Sequence, residues 1–193
     1  MENVLRTLKQ NKVKLIEAQE VKDYFDQIAQ KLLKGKTVQY LGHAVDAYEL
    51  FKTQTGAKSH HDVGVGGLYD HCFRFFVALV EHKLAKNTEL TVEQCARIAI
   101  LHDTCKLPLY YTTADGGYDY FKDIYPHHAK LSIEMITEWG IELSVAESVC
   151  IKLHMAGWQN QEDMDMVTEE EKQWLFDLKH IQILQAVNLA DNK

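Results

Sequence analysis

Along most of this chain the apolar residues recur every three or four positions, the spacing of a helix with one buried face. Phe25, Ile28 and Leu32 fall on one side of a helix predicted over Val21–Leu33, which Gly35 then stops. A second helix is expected over His43–Phe51. Thr53–Gly67 holds four of the ten glycines and reads as a loop. Leu68, Cys72, Phe75 and Leu79 mark a helix over Leu68–Lys83. The next, Thr91–Asp103, opens with Thr91 and Gln94 in a capping-box arrangement. Leu109–Phe121 breaks the pattern, because its tyrosines and threonines flank Asp115-Gly116-Gly117, which suits a short hairpin or ordered loop. Three helices follow: His128–Trp139, ended by Gly140; Ser144–His154, with a capping box of Ser144 and Glu147; and Thr168–Ala190, with a capping box of Thr168 and Glu171. The pattern therefore predicts an all-α domain of six or seven helices, with at most one short β-hairpin. Two prolines in 193 residues agree with long helices.

Composition changes this picture little. A hydrophobic share of 46% and a charged share of 25% are ordinary for a globular chain. The length suits one domain with an N-terminal helical extension, divided here as 1–58 and 59–193. A formal net charge of −7 argues against a binder of long nucleic acids, which carries a basic face. The acidic run at 162–171 reads as a solvated loop leading into a helix N-terminus. Cys72, Cys95, Cys105 and Cys150 form no CxxC pair and read as reduced core residues, the N-terminus has no signal-peptide pattern, and no apolar run approaches a membrane span. A cytoplasmic location is the expectation.

The candidate chemistry centres on His102-Asp103, at the end of the apolar run Ile98, Ile100 and Leu101. His71 lies on or beside the buried stripe of its own helix. His154 sits three past Ile151 and four past Cys150, on an apolar face. His128 opens its helix. Asp191 follows Leu184 and Val187 at inward spacings, and a buried carboxylate needs a partner, either a metal ion or an arginine or lysine. Each of these residues alone is more simply a core residue. One shared centre is more economical than six coincidences, and spacing alone reaches a metal site and stops there.

The ordered set resembles the HD-domain superfamily of metal-dependent phosphohydrolases. The motifs are Gly66-Gly67-Leu68-Tyr69-Asp70-His71, then Leu101-His102-Asp103-Thr104-Cys105-Lys106, then Leu189-Ala190-Asp191. His128 with Ser132, and Leu153-His154-Met155-Ala156-Gly157, are similar to a bacterial and phage subgroup with two additional histidines. Cys105 departs from the glycine usual in the family. The resemblance implies an HD-domain helical bundle and a first divalent ion held by His71, His102, Asp103 and Asp191. Asp103 would bridge to a second ion on His128 and His154. Lys106 would face a substrate phosphate, and Asp103 and Lys106 would be the catalytic pair. Nitrogen and oxygen donors without thiolate suit Mn, Fe, Co, Ni, Zn or Mg.

The implied activity is hydrolysis of a phosphomonoester or phosphodiester of a small, nucleotide-type substrate, with homo-oligomerisation left open. Two alternatives stand beside it: a mixed-valence di-iron oxygenase, which uses the same donor set, and a non-catalytic metal-stabilised regulatory module. His61 and Tyr110 are candidates for the substrate side of the site. For His60-His61-Asp62 the competing reading is a surface loop, and for Tyr110, Tyr111, Tyr118 and Tyr120 it is packing of a local hairpin. Gly35-Lys36-Thr37 lacks the preceding glycine and strand of a phosphate-binding loop, so it reads as a helix cap followed by a turn.

Overall fold

A computed structural model of the chain describes residues 1–58, 62–122, 128–155 and 164–191. Their order is α1 (Glu2–Gln10), a 3-10 turn (Leu15–Glu17), α2 (Gln19–Leu33), β1 (Thr37–Tyr40), β2 (His43–Asp46) and α3 (Ala47–Thr53). Next come α4 (Gly67–Lys86), α5 (Val92–Leu101), a 3-10 turn (Thr104–Lys106), β3 (Tyr110–Thr112) and β4 (Tyr118–Tyr120). The chain continues through α6 (His128–Glu138), α7 (Val145–Lys152), α8 (Glu169–Leu175) and α9 (Leu178–Asp191). The fold is mostly helical, as its periodicity predicts. All three capping boxes form, at Thr91 with Gln94, Ser144 with Glu147 and Thr168 with Glu171.

Two expectations need correction. The stretch His43–Phe51 is not one helix. Leu41 and Gly42 both take positive φ, +49° and +81°, the geometry of a tight primed hairpin turn. That turn pairs Tyr40 with His43 and Thr37 with Asp46, giving a second antiparallel hairpin beside β3–β4. Asp46 then starts α3: its Oδ1 accepts from Tyr48 N and Glu49 N, and its Oδ2 accepts from Gly35 N at 2.7 Å. The long helix over Thr168–Ala190 is also divided, into α8 and α9. Asp177 Oδ1 accepts from Lys179 N and so caps a new helix, while His180 stacks on Trp174 with ring centroids 4.0 Å apart.

The core forms around α4, which packs against α2, α3, α5 and α9. Leu68, Phe75, Phe76 and Val80 of α4 are buried. Phe25 of α2 is fully enclosed and lies 5.3–5.5 Å from the rings of Tyr69, Phe73 and Phe76. Each such buried aromatic contributes roughly 1.5–3 kcal/mol by leaving water. The aliphatic faces of α5, α7 and α9 complete the same cluster through Ile98, Leu101, Val149, Ile151, Leu184 and Val187.

Among its described residues the acidic run holds one exception to its solvated reading. Asp165, Glu169 and Glu170 are exposed, but Glu171 is buried, and its two carboxylate oxygens each lie 2.8 Å from Lys152 Nζ. This pair ties α8 to the end of α7. Burial alone would raise the Glu171 pKa, but the lysine ammonium and the Ser148 and Thr168 donors outweigh it and hold the pKa below the usual carboxylate value. Glu171→Gln leaves Lys152 buried without a counter-charge, and should lower stability by about 3–5 kcal/mol in urea titrations at neutral pH. The sign with pH follows. A depressed carboxylate pKa contributes stability above the unfolded-state value, and that contribution disappears as pH falls through the folded value. The deficit of the variant should therefore shrink on acidification below about pH 4.5.

Candidate metal centre

The six expected donors all lie at or near helix ends. His71 is in the second turn of α4, and His102 is the C-cap of α5. Asp103 begins the following 3-10 turn, and His128 is the first residue of α6. His154 is two residues past α7, and Asp191 is the last residue of α9. The structure gathers them into two groups that share one carboxylate. His71, His102, Asp103 and Asp191 form the first, and Asp103, His128 and His154 the second.

In the first group the donor atoms are nearly equidistant. His71 Nε2 lies 3.3 Å from His102 Nε2, 3.4 Å from Asp103 Oδ2 and 3.2 Å from Asp191 Oδ1. His102 Nε2 lies 3.1 Å from Asp103 Oδ2 and 3.4 Å from Asp191 Oδ1. In the second group His128 Nε2 faces His154 Nε2 at 3.3 Å, and His154 Nε2 is 4.0 Å from Asp103 Oδ1. His102, Asp103 and His154 are enclosed, and Asp191 has a side chain only 9% exposed.

Tautomers follow from the other ring nitrogens. A carbonyl oxygen only accepts, so His102 Nδ1 donates to Ala99 O at 2.9 Å and His154 Nδ1 donates to Ile151 O at 2.7 Å. In the neutral ring each Nε2 is then a bare lone pair aimed inward. Phe75 stacks on His102 at 4.5 Å with the rings 10° from parallel, and Asn188 Nδ2 donates to His154 O, one turn before Asp191. Ser132 receives the Cys105 N–H and so fixes the turn after Asp103.

Charge is unbalanced within the first group. Asp103 and Asp191 face one lysine, Lys106, whose Nζ is 2.6 Å from Asp103 Oδ2. Burial opposes ionisation of Asp103, but His102 and Lys106 outweigh it and hold its pKa well below the ordinary value. The pKa of Asp191 is likewise depressed against burial, by His102 and His71. Burial disfavours a charged His71, yet contacts with Asp103, Asp191 and Asp62 push its pKa up to about 10. A proton on His71 thus supplies the missing positive charge when nothing else does. The second group behaves oppositely: burial lowers the His128 pKa and brings that of His154 down to about 4, so both rings stay neutral. Neighbouring Cys105 remains a thiol, its pKa pushed up to about 12 by burial.

This donor set fits a divalent cation. Asp103 Oδ1 is sealed from solvent and accepts no hydrogen bond from the described residues. Ligand atoms about 2.0–2.1 Å from one ion stand just over 3 Å apart, which is the spacing of the first group. Each aligned lone pair needs a positive centre, and histidines with Nδ1 tied to an acceptor are the usual outer support of such sites.

The site opens into a cavity of about 280 Å³, whose lining includes Lys106, Leu109, Tyr110, His128 and Met155. Lys106 and Tyr110 therefore border the space a substrate would occupy. His61 lies outside the described residues. Tyr110 pairs with Tyr120 across β3–β4 in an edge-on contact at 6.4 Å, so it also packs the hairpin. Two residues that the apolar pattern does not single out support the site. Asp62, in the loop before α4, faces His71 Nδ1 at 3.3 Å. Gln54 is buried and its Nε2 donates to Leu107 O and Tyr110 O, anchoring the cavity wall to the end of α3. A polar residue just past a helix end, ahead of a glycine-rich loop, is the one sequence signal that marks Gln54.

Such an arrangement, a helical domain with a buried histidine–aspartate cluster at converging helix ends, defines a metal-binding protein of the HD type. The family model described as HD domain matches residues 68–191, and the chain belongs to the HD domain family, whose members are generally metal-dependent hydrolases. Neither the comparison with curated proteins nor that with solved structures returned a match. No helix among the described residues is long and apolar enough to cross a membrane.

The wall of the cavity can be probed through Gln54. Replacing it with alanine strips both carbonyls of their donor, at about 1–3 kcal/mol for each buried group left unsatisfied. Urea denaturation of Gln54→Ala should show that loss.

Proposed function

We propose that this protein is a metal-dependent phosphohydrolase acting on a small phosphorylated substrate of nucleotide type. His71, His102, Asp103 and Asp191 would hold a first divalent ion, and Asp103, His128 and His154 a second. The observation that carries the reading is Asp103: one fully buried carboxylate shared by two histidine groups, beside a lysine at the edge of the cavity. When bound, the two ions supply Lewis acidity toward a phosphoryl oxygen and lower the pKa of a water molecule.

The chain's own residues do the rest. Asp103 and Asp191 supply the negative charge that draws cations into the core, and His102 and His154 present lone pairs already oriented by Ala99 O and Ile151 O. Lys106 keeps its proton strongly: burial opposes the charge, but Asp103 raises its pKa above the ordinary lysine value. Its ammonium borders the cavity, where it can share its charge between Asp103 and an incoming phosphate oxygen. Leu109 and Met155 give the cavity an apolar side. Tyr110 lines the same wall, where the base of a nucleotide would meet it. The small cavity and the acidic balance disfavour a long nucleic acid.

Purified protein should carry up to two divalent ions per chain and release phosphate from a nucleotide or phosphodiester panel. His102→Ala and Asp103→Ala should each lose metal, by elemental analysis, and hydrolysis together. Full metal occupancy in both variants would sink the ligand assignment. Oxygen consumption by the iron-loaded protein, with no phosphate released from any substrate, would overturn the hydrolase reading in favour of an oxygenase.

A further inference from the structure

We propose that Asp62 is a positioning residue of the metal centre: its carboxylate accepts the Nδ1 proton of His71 and so directs Nε2 at the cation. The inference rests on the reading of His71 as a ligand. Its basis is a contrast among the buried histidines. His102 and His154 each have Nδ1 tied to a carbonyl three residues back on their own helix, Ala99 O and Ile151 O. At the His71 Nδ1 the group that stands there is a carboxylate instead, Asp62 Oδ2, at 3.3 Å.

The chain goes to some length to put that carboxylate there. Asp62 takes φ +59°, a left-handed conformation uncommon for a residue with a side chain. Its carbonyl is held by Gly56 N at 2.8 Å and by Thr55 Oγ1 at 3.2 Å. Two glycines make room for it. A Cβ on Gly67 would stand 1.9 Å from Asp62 O, and one on Gly56 would stand 2.9 Å from Asp62 Cβ. Arg74, one turn beyond His71 on α4, pairs its guanidinium with the other carboxylate oxygen, Oδ1. The Asp62 side chain is only 6% exposed. A carboxylate anchored through one oxygen by an arginine cannot turn away from the imidazole at the other, so the ring plane and the tautomer of His71 are set together. A carboxylate behind a ligating histidine also raises the basicity of the ligating nitrogen, more than a carbonyl does.

The test is Mn²⁺ binding to the full chain by isothermal titration calorimetry, with Asp62→Ala and Asp62→Asn beside wild type. Asp62→Ala should weaken the tighter site by about 10–100-fold, and Asp62→Asn, which keeps an accepting oxygen, should recover most of that loss. A purely structural role would lower the melting temperature of both variants without this split. Mn²⁺ affinity within twofold of wild type in Asp62→Ala overturns the Asp62 role and leaves the ligand assignment standing. A wild-type chain that takes up no Mn²⁺, Fe²⁺ or Zn²⁺ overturns both readings. Should Asp62→Ala not fold, the wild type alone decides. Long-range ¹H–¹⁵N spectra of the zinc-loaded protein should show His71 protonated on Nδ1, and a His71 protonated on Nε2 overturns the proposal.

Discussion

The rest of this structure depends on the burial of the Asp103 carboxylate. A bare carboxylate in an apolar interior is far too costly to survive unpaired, so the residue must be neutralised or surrounded by positive charge and donors. Lys106, His71 and His102 crowd one oxygen, Oδ2, and His154 stands 4.0 Å from the other, Oδ1. With the histidines neutral, as ligands must be, the surrounding charge falls short once Asp191 is counted. The interior is thus built with a standing demand for a cation, where five helices and a 3-10 turn converge.

That convergence uses helix ends in preference to helix faces. Along a face, side chains are spaced by periodicity and are claimed by the core. At an end the backbone leaves the helical path, and adjacent residues such as His102 and Asp103 can turn toward one point. The apolar helices α4 and α5 pack against each other, and the donors sit at or near helix ends. The β1–β2 hairpin, α3 and the loop after it serve the same end from the N-terminal side. Gln54 pins the wall of the cavity, and Asp62 stands behind His71.

Much of this was legible in the sequence, for physical reasons. Helix starts carry their own chemistry, and the boxes at Thr91, Ser144 and Thr168 all formed where their side chains allow. The spacing of Leu184, Val187 and Asp191 correctly turned that aspartate inward. What failed lay where local chemistry competes with periodicity. Residues 43–51 have a helix-compatible pattern, but a Leu41-Gly42 turn with two positive φ values and the Asp46 cap divided it. Asp177 did the same to the final helix by offering its carboxylate to a backbone donor. Asp62 was ambiguous because its placement depends on Arg74 of the next helix and on the flanking glycines at 56 and 67, a three-way agreement that no periodicity expresses. Glu171 hid in an acidic run because its partner, Lys152, is supplied by another helix.

The donors are also spread widely along the polypeptide. During synthesis, at roughly 5–20 residues per second, His71 waits on the order of ten seconds for Asp191 to be made. Through that interval the nascent domain holds Asp103 with an incomplete ring of partners. Lys106, only three residues away, is the counter-charge present from the start. A residue read first as a handle for phosphate is therefore also the nearest counter-charge along the chain for a carboxylate whose last partner is made 88 residues later.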